Sequence, residues 1–165
     1  MQSPAISSVA IDLGTSSGAS STVPSTTPLV RDVPAGQNEY HNDAYHFSVL
    51  YPDNLKVAEQ DNGASATFTF EDDKNVQGFQ LFVQPFSGTQ ITDAQFKQDD
   101  PSGVRDDPQN FTLDGASGVA FYSQDHLLGD TREMWFIRGG FLYEVTTFKE
   151  QADWLDQIMQ TWKFY

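Results

Sequence analysis

Hydrophobic and polar residues alternate along several segments of the chain, and this two-residue period is typical of β-strands. The predicted strands cover residues 45–51, 64–71 and 78–86, with two more near residues 111–114 and 118–124. In the second of these the apolar positions share one face, and Ser, Thr and Glu occupy the other, so one side of that strand is predicted to be solvated. Turn-forming residues follow the first two strands, which favours a mostly antiparallel sheet.

A short helix is predicted in the middle of the chain. Thr92 and Gln95 have the spacing of a capping box, in which the two side chains satisfy free backbone N–H groups at the helix start. The helix should begin at Asp93 and end before Pro101, because the residue before a proline is sterically pushed out of helical geometry. Residues 99–108 are polar and contain two prolines, so a surface loop is expected there.

A long β-hairpin is the clearest local prediction. Residues 132–138 and 141–148 are both rich in β-branched and aromatic residues, and two glycines separate them. Gly139 and Gly140 suit a two-residue turn that needs positive φ at both positions. Such a turn defines three facing pairs: Met134 with Val145, Phe136 with Tyr143, and Trp135 with Glu144. Since both faces of the hairpin carry large apolar side chains, both are expected to be covered.

The end of the chain predicts a second helix. Its apolar residues recur at helical spacing: Trp154, Leu155, Ile158, Met159 and Trp162. Residues 161–165 can then return as a short edge strand. The predicted fold class is α+β, a twisted, mostly antiparallel sheet of about six to eight strands with helices on its faces. If the two helices lie on opposite faces, the result is an α/β/α sandwich.

The order of these elements resembles the PsbP-like family. The resemblance rests on the early aromatic strand ending at Tyr51-Pro52, the middle helix, the hairpin around Gly139-Gly140 and the final Trp162-Lys163-Phe164. It covers roughly residues 40–165. The family is named for an extrinsic subunit of photosystem II and includes many bacterial secreted or lipoprotein domains, generally accessory or assembly factors. The resemblance therefore implies an α/β/α sandwich without catalytic activity, and no functional residue of the family can be carried over.

Residues 1–38 differ sharply in composition from residues 39–165. All 22 aromatic residues lie from Tyr40 onward, whereas the first 38 residues contain eight serines, four threonines and four of the eight prolines. So little apolar mass cannot offset the entropy lost on ordering, and we expect residues 1–38 to be a flexible tether. Such a spacer before a folded domain is typical of processed lipoproteins and surface proteins, so an extracytoplasmic location, with Met1 in place of a removed export segment, is favoured over a cytoplasmic tail.

Charge and composition limit the partners. The formal net charge is −14, and residues 39–165 carry 21 acidic against 8 basic residues, so repulsion disfavours nucleic acid and anionic lipid. The sequence contains no run of about 18 apolar residues, the length expected of a membrane-spanning helix. The chain has no cysteine, which removes disulfides, thiol nucleophiles and cysteine metal sites. Another protein is the expected partner, and the oligomeric state is left open.

Three histidines and several acidic doublets are the candidates for chemistry. His41, Asp43 and His46 lie within six residues and have ligand types that suit zinc, although surface histidines are the simpler interpretation. His126 could orient a base toward Ser123, but no nucleophile-elbow motif is present. The doublets at residues 72–73, 99–100 and 106–107 allow weak divalent cation binding without an EF-hand pattern. No phosphate-binding loop occurs, and no cofactor is predicted.

Three functions stay open at this point. The favoured hypothesis is a non-catalytic extracytoplasmic module, tethered by residues 1–38, that binds another protein or stabilises an assembly. The alternatives are a structural subunit that polymerises through an edge strand or its tail, and a hydrolase that uses carboxylates or His41 and His46. Five aromatic residues could line an exposed binding surface, although the core is the favoured location for them: Phe82, Phe86, Tyr122, Trp135 and Tyr165.

Overall fold

The computed structural model describes residues 31–125 and 127–165. The predicted tether thus lies almost wholly outside the described residues, as does His126. In chain order the elements are β1 Gln37–Asn42, β2 Phe47–Pro52, β3 Lys56–Asp61, β4 Ala66–Asp72, β5 Gln77–Pro85, α1 Asp93–Asp99, β6 Asp106–Leu113, β7 Ala116–Asp125, β8 Gly129–Arg138, β9 Phe141–Phe148, a 3-10 turn Lys149–Gln151, α2 Ala152–Met159 and β10 Lys163–Phe164.

The strands form two antiparallel sheets where the alternation pattern predicted one. The larger has the order β3-β4-β5-β9-β8-β7-β6, and the smaller has the order β1-β2-β10. The expectation of a single sheet was therefore wrong. The first predicted strand and the short returning strand at the end of the chain belong instead to the small sheet, where Phe47 pairs with Phe164. Thr161 extends this edge, because its hydroxyl accepts from the Leu50 N–H at 2.9 Å.

The predicted hairpin is confirmed in its turn and its register. Gly139 and Gly140 have φ values of 60° and 84°, and Phe136 pairs with Tyr143 and Trp135 with Glu144. Neighbouring residues of a strand point to opposite faces, so Trp135 lies on one face of the large sheet and Phe136 on the other. Both side chains are buried, which confirms that both faces of the hairpin are covered.

We call the side that carries Phe136 the aromatic face. It packs against α2 and the small sheet in one continuous core. Trp162 stacks on Phe47 with ring centroids 4.3 Å apart and contacts Phe136 edge-on at 5.3 Å. Phe79, on the same face of β5, contacts Trp154 of α2 at 6.1 Å. Most of the buried side chains belong to this core, so it is the main source of hydrophobic stabilisation.

The side that carries Trp135 is called the carboxylate face, after Glu133 and Glu144, which lie on it. Its apolar cluster is small and consists of Phe96, Val119, Phe121, Trp135 and Leu142. Helix α1 covers this cluster through Phe96, whose ring lies 5.2 Å from that of Phe121. The two helices thus lie on opposite faces of the large sheet, although the small sheet shares the α2 side.

Helix α1 begins as predicted and ends before Pro101. The Thr92 hydroxyl accepts from the Gln95 N–H at 3.1 Å, which is one half of the predicted capping box. The other half does not form, because the Gln95 amide donates to Asp99 one turn further on. Of the loop predicted over residues 99–108, the last part is strand: β6 starts at Asp106 and pairs with Tyr122 before a bulge.

The boundary between tail and body lies earlier than predicted. β1 begins at Gln37, so residues 37 and 38, which were assigned to the tether, are part of the small sheet. Arg31 already contacts the body, since its Nε donates to Glu39 at 2.7 Å and one Nη donates to the Thr161 carbonyl. Among the described residues, no helix is long and apolar enough to cross a membrane.

Candidate functional site

A pocket of about 430 Å³ opens at one end of the large sheet. We call it the docking pocket. Its floor is formed by polar residues of the carboxylate face, including Thr69, Gln80 and Thr146, and its wall includes Phe148. The β4–β5 turn and the β7–β8 turn border it, because both turns lie at the end of the sheet where β9 finishes.

Exposed aliphatic side chains border this pocket. Val76, in the β4–β5 turn, is 73% exposed, and Leu128, in the β7–β8 turn, is 46% exposed. Both line the docking pocket. The neighbouring Leu127 is 95% exposed. Isolated exposed aliphatic residues are ordinary on protein surfaces, but a group of them around a concavity is typical of a binding surface.

Val76 is also conformationally strained. Its φ is 50°, in the left-handed region that β-branched residues rarely adopt. The surrounding turn holds the backbone there: the Gln151 amide donates to the Val76 carbonyl at 2.9 Å and accepts from the Gly78 N–H at 3.1 Å. Gly78 fits this position because a Cβ would lie 2.3 Å from the Phe70 carbonyl oxygen. A strained, exposed valine held in place by its neighbours is a sign of function rather than of folding.

Asp72 organises the other half of this turn. Its carboxylate accepts from the Lys74 N–H at 2.8 Å, from Asn75 at 2.6 Å and from Asn54 at 2.9 Å. These hydrogen bonds, led by that of the Lys74 backbone, lower the pKa of Asp72. Asp73 pairs instead with Lys56. The doublet predicted as a possible cation ligand thus anchors a turn and forms an ion pair.

Two carboxyl groups, the buried Glu133 and the half-buried Glu144, lie further along the carboxylate face. The buried Glu133 accepts from the Thr146 hydroxyl at 2.7 Å and from the Trp135 indole at 3.3 Å. Burial raises its pKa to about 7, against the opposing effect of these donors. Glu144 accepts from Gln84 at 2.7 Å.

The environment of Glu144 raises its pKa still further. Burial is the largest cause and brings the pKa to about 8, while the Gln84 amide opposes it. The negative charges of Asp99 and Asp100 at the end of α1, and that of Glu133, add to the shift. Both glutamates therefore keep a proton to a higher pH than a solvated glutamate does, near a helix end that carries further negative charge.

Sequence reasoning missed Glu133 and Glu144 as candidate residues, although it held a signal for them. Trp135 was predicted to face Glu144, and both hairpin faces were predicted to be covered. A glutamate in a strand that is covered on both faces must be buried, and a buried carboxyl tends to keep its proton. The docking pocket gave no such signal, because nothing in the order of residues shows that residues 73–76 and Leu128 border one concavity.

The three residues proposed as metal ligands make other contacts. The His41 Nε2 lies 2.9 Å from Glu39, and Asp43 accepts from the Tyr165 hydroxyl at 3.1 Å. The His41 and His46 rings each lie 6.2 Å from the ring of Tyr165. Within residues 31–125 and 127–165, no three His, Asp or Glu side chains are arranged to hold a metal ion. Metal binding by His41, Asp43 and His46 stays a prediction for direct measurement.

The other candidates have structural surroundings. The Ser123 hydroxyl is buried and accepts from the Val104 N–H at 3.3 Å, while His126 lies outside the described residues. Of the five aromatic candidates, Trp135 is buried in the cluster under α1. The remaining four are half-buried: Phe82, Phe86, Tyr122 and Tyr165.

Comparison with known proteins identifies the fold. No protein-family model matches the chain, and the comparison with curated proteins found no match. Among solved structures, the chain is similar to the solution structure of cyanobacterial PsbP (CyanoP) from Synechocystis sp. PCC 6803. The TM-score is 0.58 at 12% identity, and the match covers 84% of this chain and 100% of that chain. The chain therefore has a PsbP-like fold, as the resemblance of element order implied, and the predicted α+β class is confirmed with few helices.

Proposed function

We propose that this protein is a non-catalytic binding module that docks onto another protein through the docking pocket and its aliphatic border. The observation that carries the proposal is the grouping of Val76 and Leu128 around one concavity, with Leu127 beside them. Apolar side chains exposed together gain free energy when a partner covers them. The PsbP-like fold supports this proposal, because the resemblance implies accessory or assembly factors.

The charge around the pocket indicates what the partner carries. Glu71, Asp72 and Asp73 all line the pocket, in a chain with a net charge of −14. Electrostatic complementarity favours a partner surface of opposite charge. The proposed partner therefore presents an aliphatic side chain flanked by lysine or arginine.

The same module is proposed to act outside the cytoplasm, held near its partner by the chain segment that precedes β1. The support is compositional: a Ser-, Thr- and Pro-rich segment precedes a cysteine-free acidic domain. A tether of this kind raises the effective concentration of the module at a surface without adding contacts.

Polymerisation through the edge strands of the large sheet is less well supported than docking. At one edge of the large sheet, β6 contains Pro108 and a bulge at Asp107, whose φ is 50°. At the other edge, β3 carries Lys56, Glu59 and Asp61. Prolines, bulges and charges on edge strands oppose pairing with another chain.

Isolation of the native assembly tests the proposal. The tagged chain would be purified from the cells that produce it, and the mass of the assembly and every co-purifying chain would be determined. The double substitution Leu127→Lys, Leu128→Lys should remove the partner, because the new positive charges repel the basic groups of the proposed partner and cannot be buried unpaired. Val104→Lys is the matched control, since Val104 is also an exposed aliphatic residue, at 37%, and it does not line the docking pocket.

Each outcome has a separate meaning. Loss of the partner in the double variant, with retention in Val104→Lys, supports the docking pocket. Retention of the partner in both variants would show that the docking pocket is not the binding surface, although the protein would still be a binding module. A lone monomer in the wild type overturns the module, and a regular homopolymer supports the structural-subunit alternative instead.

A further inference from the structure

Arg132 is a buried cation on the aromatic face of β8. The residue is 8% exposed, and its guanidinium lies 5.2 Å from the ring of Tyr122. Its Nη2 is 3.4 Å from both carboxylate oxygens of Asp156 on α2, whereas a charge-assisted hydrogen bond measures about 2.8 Å. The Nε of Arg132 has no hydrogen-bond partner in the described part of the chain. The counter-ion thus holds this arginine only loosely.

A pocket of about 250 Å³ lies beside Arg132, between edge strand β6 and α2. Its lining includes the apolar residues Phe111, Leu113, Ala120, Met134 and Met159, together with the polar residues Gln109, Asn110, Thr112 and Gln160. Arg132 and Asp156 are the charged residues that line it. We call it the Arg132 pocket. It shares no lining residue with the docking pocket.

We propose that the Arg132 pocket binds an aliphatic carboxylate. The ligand carboxylate would replace Asp156 as the counter-ion of Arg132. One of its oxygens would accept from Nη2 and the other from Nε. Nε is shielded from solvent, so this pairing requires the guanidinium to turn, which the long Asp156 contacts permit. Planar guanidinium and carboxylate groups match in such a two-point arrangement. The hydrocarbon chain would lie against the two methionines, whose flexible thioethers adapt to irregular ligands.

The volume sets the size of the ligand. At roughly 30 Å³ for each non-hydrogen atom, about eight such atoms fill the pocket. Hexanoate has this size, and a ligand so small is expected to bind with a dissociation constant on the order of 1 mM. The carboxylate can come from a free acid or from the C-terminal residue of a partner chain.

Methionine methyl NMR of the whole chain tests the proposal directly. The chain has three methionines, and two of them, Met134 and Met159, line the pocket. Met1 lies outside the described residues and supplies a reference signal. Titration with hexanoate at constant ionic strength should shift the Met134 and Met159 signals and leave Met1 in place. Hexanamide has the same shape without the charge, and its affinity should be at least about tenfold lower.

Three substitutions distinguish a specific site from unspecific binding. Arg132→Gln should weaken hexanoate binding at least about tenfold. Asp156→Asn removes the competing carboxylate and should strengthen it about two- to fivefold. Arg138→Gln is the control, because Arg138 lies on the same face of β8 but is exposed and packs over Phe164. If Arg132→Gln does not fold, the Asp156→Asn result decides the proposal.

A second titration distinguishes a free acid from a protein C-terminus as the source of the carboxylate. It uses the peptide acetyl-Leu-Leu with either a free or an amidated C-terminus. Tighter binding of the free-acid peptide than of hexanoate assigns the site to a protein C-terminus. The reverse order assigns it to a free acid. Absence of shifts at Met134 and Met159 up to about 20 mM of either probe, at least about tenfold above the expected dissociation constant, overturns the proposal. Equal shifts with hexanamide overturn it as well.

Discussion

The two faces of the large sheet differ in how their side chains are buried. The aromatic face is a continuous core, with Trp162 stacked on Phe47 and in edge contact with Phe136. The carboxylate face rests on a cluster of five buried residues, with Glu133 and Glu144 beside it and the docking pocket at its end. The first face supplies stability, and the second holds groups that are costly to bury or to expose. The docking pocket lies on the face that gives up stability, as is typical of surfaces with a function.

The largest expected effect tests the role of the aromatic face. Trp162→Ala removes a buried side chain that contacts both sheets, and it should lower the free energy of unfolding by about 4 kcal/mol. Urea denaturation followed by circular dichroism measures this loss. A loss below about 1 kcal/mol would contradict the assignment of this face as the main core.

The next effect concerns pH. The pKa values of Glu133 and Glu144 are raised from 4.5 to about 7 and about 8, so between these limits the folded state binds more protons than the unfolded state. Stability must therefore fall as pH rises from about 4.5 to about 8, by on the order of 3 kcal/mol in all. Urea denaturation at a series of pH values measures the slope.

Glu133→Gln sharpens this pH test. The amide oxygen can still accept from Thr146 and Trp135, but the group no longer ionises. The variant should lose part of the pH dependence and be more stable than the wild type at pH 9. A slope identical to that of the wild type would show that Glu133 titrates normally in the folded state.

Helix α1 should contribute less than the aromatic core. Phe96→Ala removes its one buried side chain, yet a two-turn helix can detach while both sheets stay folded. The expected loss of global stability is about 2 kcal/mol, accompanied by an increase in solvent exposure of Trp135. Fluorescence quenching by acrylamide and urea denaturation report the two changes separately. Equal losses for Phe96→Ala and Trp162→Ala would remove the distinction between the faces.

The smallest expected effect has the opposite sign. Asparagine tolerates the left-handed region better than valine does, so Val76→Asn should stabilise the protein by about 0.5 to 1 kcal/mol. The same change removes an aliphatic side chain from the docking pocket and should weaken partner binding. Thermal unfolding and the purification described above measure the two results. Destabilisation would show that Val76 is not strained.

The sequence predicted some elements well for a definite reason. The register of the β8–β9 hairpin was predicted to the residue because Gly139-Gly140 defines a two-residue turn and the turn defines the register, although β8 begins three residues before the predicted strand, at Gly129. The small sheet was missed because β1, Gln37–Asn42, carries one large apolar residue, Tyr40. β3 was missed because an exposed edge strand has little alternation to detect, as Lys56–Asp61 shows.

The candidate site was less predictable than the fold. The docking pocket is bordered by two turns that are far apart in the chain. The backbone of Val76 is held in its strained conformation by Gln151, which is also distant in sequence. Arg132 lies in a strand that was predicted to be buried. Its partner Asp156 lies on α2, and the hydrophobic pattern of the sequence does not predict how that helix is oriented on the sheet. Local periodicity determines which residues share a face, and only the assembled fold determines what faces them.

The strand order also divides the large sheet into two meanders, β3-β4-β5 and β9-β8-β7-β6, that meet only where β5 pairs with β9. Each meander forms from neighbouring segments, whereas the seam joins residues as distant as Gln80 and Thr146. Closing that long loop is the slow step in such a topology. Residues 86–105 connect the two halves along the chain, so a chain cut there would leave two complete meanders that could reassociate through the β5–β9 pair and the β2–β10 pair of the small sheet.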